Sequence, residues 1–266
     1  MKVARIIYYI ICGLIFAFIA FPIAIVFPLS FSEVSYLQFP PETLSLRWFE
    51  DFFSDPEWVR SILLSLRVGA TTALFSTILG VLAATGLNRA EIKGKEYLMG
   101  YLISPLIVPL VVMAVGIYGL FAPWGLVGTP LGISLSHTVR ALPYVIINVS
   151  AAYQTLDRNL EWAARNLGAN PLETFRRITF PLIKPGIIGG AFFAFIVSYD
   201  EIVLSLFLSG VDATTLPIKM WEGIRMEMTP IIAAASSIII MVYIILFAIY
   251  ELSKIRKKDK QVEQNN

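Results

Sequence analysis

The feature that most constrains this chain is a set of six apolar runs, at about residues 6–29, 62–87, 97–121, 131–156, 186–208 and 230–252. A bilayer core takes about twenty helical residues to cross. A spanning segment must also satisfy its own backbone, which a long apolar run does as a helix. A mean hydropathy of +0.73 and only 15% charged residues agree with this reading. The charges cluster between the runs, and no polar interval is long enough to bury a core of its own. A large soluble domain is therefore excluded, and the expectation is an all-α integral membrane protein with six transmembrane helices.

Orientation follows from lysine and arginine. With the N-terminus inside, the inner segments hold Lys2, Arg5, Arg89, Lys93, Lys95, Arg158, Arg165, Arg176, Arg177, Lys184, Lys254, Arg256, Lys257, Lys258 and Lys260. The outer segments hold Arg47, Arg60, Lys219 and Arg225, while Arg67 and Arg140 fall within runs. Both termini are expected to be cytoplasmic. Residues 1–30 read as the first transmembrane helix, kinked or ended near the outer face by Pro22 and Pro28. That run is too long for a typical signal peptide and lacks a clear cleavage site, so an uncleaved span is expected. Residues 31–60 read as an extracytoplasmic, aromatic-rich segment in which Trp48, Phe49, Phe52 and Phe53 fit a short amphipathic helix. Residues 61–252 read as a core of five further spans, and 253–266 as a basic cytoplasmic tail held by anionic headgroups. The net charge of +2 is this inner-face bias, which gives no reason to expect nucleic acid, and the single Cys12 excludes an internal disulfide.

The runs differ in kind. The second is rich in Gly, Ala, Ser and Thr, which suits close helix–helix packing. The third carries Pro105, Pro109, Gly116 and Gly119 and is expected to be kinked and able to line a cavity. His137 in the fourth run has no second His or Cys near it and is expected to pack or to hydrogen-bond between helices. Asp200 and Glu201 interrupt the fifth run, somewhat past the midplane toward the outside. A carboxylate there costs a few kcal/mol on insertion scales. Each must therefore face a cavity or a partner charge; one acid paired with Arg140 or Arg67 and a cation-attracting step in a transport path are both open. On a continuous helix the two point about 100° apart and do not share one ligand. Residues 216–228 are expected to form a partly buried outer helix with Lys219, Glu222, Arg225 and Glu227 on wet faces.

The longest inner polar interval, 157–185, reads as two short helices outside the membrane. Asn159 is expected to cap the first, which ends at Gly168, a natural left-handed stop. Asn170, Pro171 and Glu173 form a start signal for the second, and Pro181 and Pro185 are expected to stop it. Ala163, Ala164 and Gly168 leave a shallow surface on which a partner can sit closely; a loop packed on its own protein is the other reading.

This interval resembles the EAA loop of binding-protein-dependent ABC importer permeases, with Ala163, Ala164, Gly168, Ile178 and Pro181 on the family spacing. Trp162 stands where the pattern has its Glu, Phe180 where it has Leu, and Glu161 lies one residue early. Ser198, Asp200 and Glu201, followed by Leu216, Pro217 and Trp221, resemble the second permease subunit of the spermidine/putrescine branch. The resemblance implies a type I, MetI-like permease fold in a prokaryotic cytoplasmic membrane. It implies coupling residues Glu161, Trp162, Ala163, Ala164, Leu167, Gly168, Ala169, Ile178 and Pro181, and a substrate path touching Arg140, Ser198, Tyr199, Asp200 and Glu201. The implied partners are a second permease chain (identical or a sister), two ATP-binding subunits and an extracytoplasmic solute-binding protein seated on residues 31–60 and 209–229. ATP and Mg would be bound by the ATPase, with no cofactor and no catalysis in this chain. Polyamines are the expected solute; opines, aminophosphonates, iron or oxyanions travel on similar scaffolds. A secondary transporter would more often show an internal repeat, and a membrane enzyme would need clustered ionisable residues. Neither accounts for the loop spacing.

Overall fold

A computed structural model of the protein describes residues 2–210, 213–226 and 229–264, with side chains described between residues 5 and 249. It is helical, with no strand among the described residues beyond an isolated antiparallel bridge between Ser32 and Leu44. The helices are α1 (Lys2–Ser30), α2 (Arg47–Ser54), α3 (Pro56–Arg89), α4 (Lys95–Ile103), α5 (Leu110–Phe121), α6 (Pro130–Gln154), α7 (Arg158–Asn166), α8 (Pro171–Thr174), α9 (Phe180–Tyr199), α10 (Val203–Leu208), α11 (Leu216–Met226) and α12 (Ile231–Gln264).

Among the described residues, four helical stretches are long and apolar enough to cross a membrane: Arg5–Ser30, Pro56–Arg89, Pro171–Tyr199 and Ile231–Ile249. The pair Lys95–Leu106 and Leu110–Trp124, bent by 97° at the kink expected from Pro105 and Pro109, makes a fifth when taken as one span. Helix α6 has the length but is more polar. It also buries thirteen of its 25 residues, Ser134, Ser136, His137 and Thr138 among them. A helix enclosed by others can carry polar groups that a lipid-facing one cannot.

Helix α1 contains Pro22 and Pro28 and ends at Ser30, where the first span was expected to end. Two boundaries differ from expectation. Pro181 and Pro185 do not stop the loop's second helix: α8 passes through an i→i+5 turn at Phe175–Thr179 directly into α9. Proline lacks an N–H and its ring crowds the carbonyl four residues back; the wider turn ahead of Pro181 gives that ring room. The fifth run is not one helix. It breaks after Tyr199 and restarts at Val203, leaving Asp200, Glu201 and Ile202 between helices. Helix α11 is as expected to Met226, and Glu227 and Met228 lie outside the described residues.

The chain divides into two compact units, residues 1–59 with 219–266, and residues 60–218. In the first, α12 packs against α1 and α2. Trp48 and Phe52 are the buried side of α2, Phe52 stands 5.4 Å from the Trp58 ring, and Lys219 pairs with Glu57. In the second, α6 packs along α9 around Val145, Val149, Tyr153, Ile183 and Ala194.

Glycine makes this approach possible. A Cβ at Gly190 would lie 2.9 Å from Val145 Cα, and one at Gly80 2.6 Å from Val145 Cγ1, whereas one at Gly13 meets nothing within 4 Å. Ala in place of Gly ordinarily favours a helix by about 1 kcal/mol, but overpacking costs about 1–3 kcal/mol. Gly190→Ala is therefore expected to lower the melting temperature of the purified protein in detergent, and Gly13→Ala to leave it level or raise it. Equal melting of both variants would mean that α6 and α9 are not in van der Waals contact.

Candidate functional site

The loop between α6 and α9 is built by local hydrogen bonds. The cap of α7 is Asp157, whose Oδ1 accepts from Asn159 N–H at 2.9 Å, rather than Asn159 as expected. The ionised side chain is the better acceptor at the positive end of a helix. Gly168, at φ +92°, closes α7 with the paired bonds Gly168 N–H to Arg165 C=O (3.0 Å) and Ala169 N–H to Ala164 C=O (3.1 Å). That pair is a Schellman stop, which needs the left-handed conformation glycine adopts freely. Asn170 and Glu173 then cap α8 reciprocally, at 2.9 and 3.1 Å, as the sequence predicts.

These turns enclose a groove of about 330 Å³ lined by Ala164, Leu167, Gly168, Ala169, Glu173, Thr174, Arg177 and Ile178. Around it the loop presents apolar side chains outward: Leu160, Trp162, Leu167 (89% exposed) and Leu172. Ala163 and Pro181 are exposed but lie outside the groove lining. Glu161 is apart from the rest. It is 6% exposed and turned into its own protein, paired with Arg89 and hydrogen-bonded by Thr179. Arg89 was legible only as one more inner-face charge, since nothing in its position at the end of a span points to Glu161.

The second cluster lies at the helix break. Glu201 is buried and pairs with Arg140 of α6, while its Oε1 accepts from Leu204 N–H at 3.0 Å and so caps α10. Asp200 is exposed. The two acids do point apart, as expected, but because one anchors the break and the other faces out. Ser198 is buried against His137, and Tyr199 is buried with its ring stacked 5.7 Å from Phe195. Arg67 is exposed on α3, so of the two candidate partners it is Arg140 that holds the acid.

His137 bridges helices, as expected. Its Nδ1 lies 2.8 Å from Ser198 Oγ on α9 and its Nε2 3.0 Å from Ser205 Oγ on α10. Ser205 Oγ donates to the Glu201 carbonyl at 2.9 Å, and Ser198 Oγ donates to Thr72 Oγ1. Thr72 of α3 stands 3.2 Å from Ser198 and donates to Ser134 C=O at 3.1 Å. A line of neutral hydrogen bonds thus ties α3, α6, α9 and α10 around the charged pair. Thr72 and Ser205 carried no signal in the sequence beyond being small polar residues in apolar runs. No group of three or more His, Cys, Asp and Glu able to hold a metal occurs among the described residues.

Residues 76–258 match the model of the family described as binding-protein-dependent transport system inner membrane component. The putrescine transport system permease protein PotI of Escherichia coli K12 is 35% identical over 203 residues, 74% of this chain and 72% of that protein. The spermidine/putrescine transport system permease protein PotC of Haemophilus influenzae is 30% identical over 241 residues, 90% and 92% of the two chains. Among solved structures, a bacterial ABC transporter that imports the acidic polysaccharide alginate superposes with a TM-score of 0.75. It is 16% identical, and the match covers 94% of this chain and 96% of that one.

Proposed function

Because this chain belongs to the family of binding-protein-dependent transport system inner membrane components, we propose that it forms half of the pore of an ATP-driven importer for polyamines of the putrescine and spermidine class. It is a multi-pass membrane protein and a permease subunit. We assign it six spans in a bacterial cytoplasmic membrane, with α6 as the enclosed one and both termini in the cytoplasm. A second permease chain completes the pore. Two ATPase subunits bind ATP and Mg beneath it and catalyse hydrolysis, and a solute-binding protein docks on the outer aromatic segment ahead of α3.

The ATPase seats on Trp162, Ala163, Ala164, Leu167, Gly168, Ala169, Ile178 and Pro181. The rigid stops at Gly168 and Asn170 support this reading: a lever transmits displacement only if its turns do not give. The observation that carries the cationic solute is the charge at the helix break. Arg140 is neutralised by Glu201, which leaves the exposed Asp200 and a local charge of about −1. That is an environment for an ammonium group and a poor one for an anion.

The test is ATP hydrolysis by the reconstituted complex, titrated with the binding protein and a panel of putrescine, spermidine, an opine, ferric iron and phosphate. Stimulation by the polyamine-loaded binding protein alone is the expected result. Stimulation by another solute would retain the importer and overturn its cargo; a chain that recruits no ATPase would overturn both.

A further inference from the structure

Resting on the importer reading above, we infer that Glu161 is a positioning residue: it ties the coupling helix α7 to the inner ends of α3 and α9, so that displacement of the loop moves those spans with it. Its neighbours Leu160 and Trp162 point outward, while Glu161 is buried. Its Oε2 is 2.8 Å from Arg89 Nε, and its Oε1 accepts from Arg89 Nη2 at 2.8 Å and from the Thr179 hydroxyl. One carboxylate therefore holds the last residue of α3 and the wide turn that opens α9.

Arg89 is itself held. Its guanidinium lies 4.7 Å from the centroid of the Tyr153 ring on α6, and the Tyr153 hydroxyl is 2.9 Å from Thr85 Oγ1 on α3. A second strut runs beside the first: Arg158 Nη2 donates to Asn88 C=O at 3.0 Å, and Asn88 Nδ2 donates to Ser150 Oγ at 3.1 Å. Exposed ion pairs swivel and contribute little. A half-buried guanidinium that meets a buried carboxylate through two nitrogens fixes orientation as well as distance. An acid kept only for docking would stand outward, and the outward position is taken by Trp162. The division of labour is an aromatic toward the partner and an acid toward the spans.

The experiment uses the assembled complex in proteoliposomes, with spin labels at the exposed positions Leu82 on α3 and Asn159 on α7. In the otherwise wild-type chain the label distance is expected to stay narrow through ATP binding. Glu161→Gln should broaden it and lower putrescine moved per ATP hydrolysed by roughly tenfold, within the usual range of coupling between sites. Arg89→Gln should do the same, and the double variant should be no worse than either single one. Thr179→Val removes one hydroxyl at nearly constant shape and shifts both readouts in the same direction, so the inference stays testable should Glu161→Gln not fold. A merely stabilising pair would lower yield and leave distance and ratio unchanged, which overturns the inference. Failure of the wild-type complex to recruit an ATPase overturns the importer reading instead, and the label distance still reports the tie.

Discussion

Gly168→Trp is expected to remove ATP-driven uptake by at least about thirtyfold while the protein still folds and inserts. Two effects add. A non-glycine residue at φ +92° is held in the left-handed region, at a cost of about 1–2 kcal/mol. An indole at that point also fills the groove lined by Ala164, Leu167 and Ile178, where the ATPase is proposed to sit. Loss of a central interface contact typically costs about 2 kcal/mol or more, and 1.4 kcal/mol is a factor of ten in affinity. Folding should survive because Gly168 is exposed and a Cβ there meets nothing within 4 Å. Gly168→Ala isolates the backbone effect and should fall between wild type and Trp. Co-purification of the ATPase and uptake of labelled putrescine are the two measurements. Wild-type values for Gly168→Trp in both would refute the coupling role of the loop.

How far the sequence carries depends on the range of the interaction that decides each feature. The caps of the coupling loop are local, set by side chains within three residues of the backbone they satisfy, so Gly168 and the Asn170–Glu173 box were legible from spacing alone. Asp157 displaced Asn159 as the cap because two side chains two positions apart compete for the same start, and spacing does not rank them. The continuation through Pro181 was not legible, since a proline stop is the rule and the i→i+5 turn that evades it leaves no residue signature. The break at residues 200–202 was half legible. Two acids in an apolar run demanded a partner, and Arg140 was one of two candidates. That Glu201 would take it, and that Asp200 would be left out, depends on contacts about sixty residues apart in sequence. The same distance hid the Glu161–Arg89 tie and the link from His137 to Ser198 and Ser205.

That long-range pairing makes the two acids separable. Glu201→Gln keeps the amide oxygen that can accept from Leu204 N–H but leaves the half-buried Arg140 without the carboxylate it pairs with. Breaking one side of a fully buried pair typically costs about 3–5 kcal/mol, and less where the remaining charge reaches water as Arg140 does, whereas removing both charges is often close to neutral. Glu201→Gln should therefore lower the yield and melting temperature of the protein, and adding Arg140→Gln should recover much of both. Asp200→Asn should leave yield and melting unchanged, because the side chain is exposed, yet lower putrescine uptake. It takes the local charge from about −1 to zero. An ammonium 7–8 Å away in an effective dielectric near 20 loses roughly 2 kcal/mol of attraction, about thirtyfold in occupancy. The opposite pattern, a stable Glu201→Gln that does not transport and an Asp200→Asn that does, would move the cation-attracting role to the buried acid. It would require Arg140 to release Glu201 as the pore opens. Should both variants fold and transport normally, the helix break would be a packing feature and the polyamine reading would lose its residue.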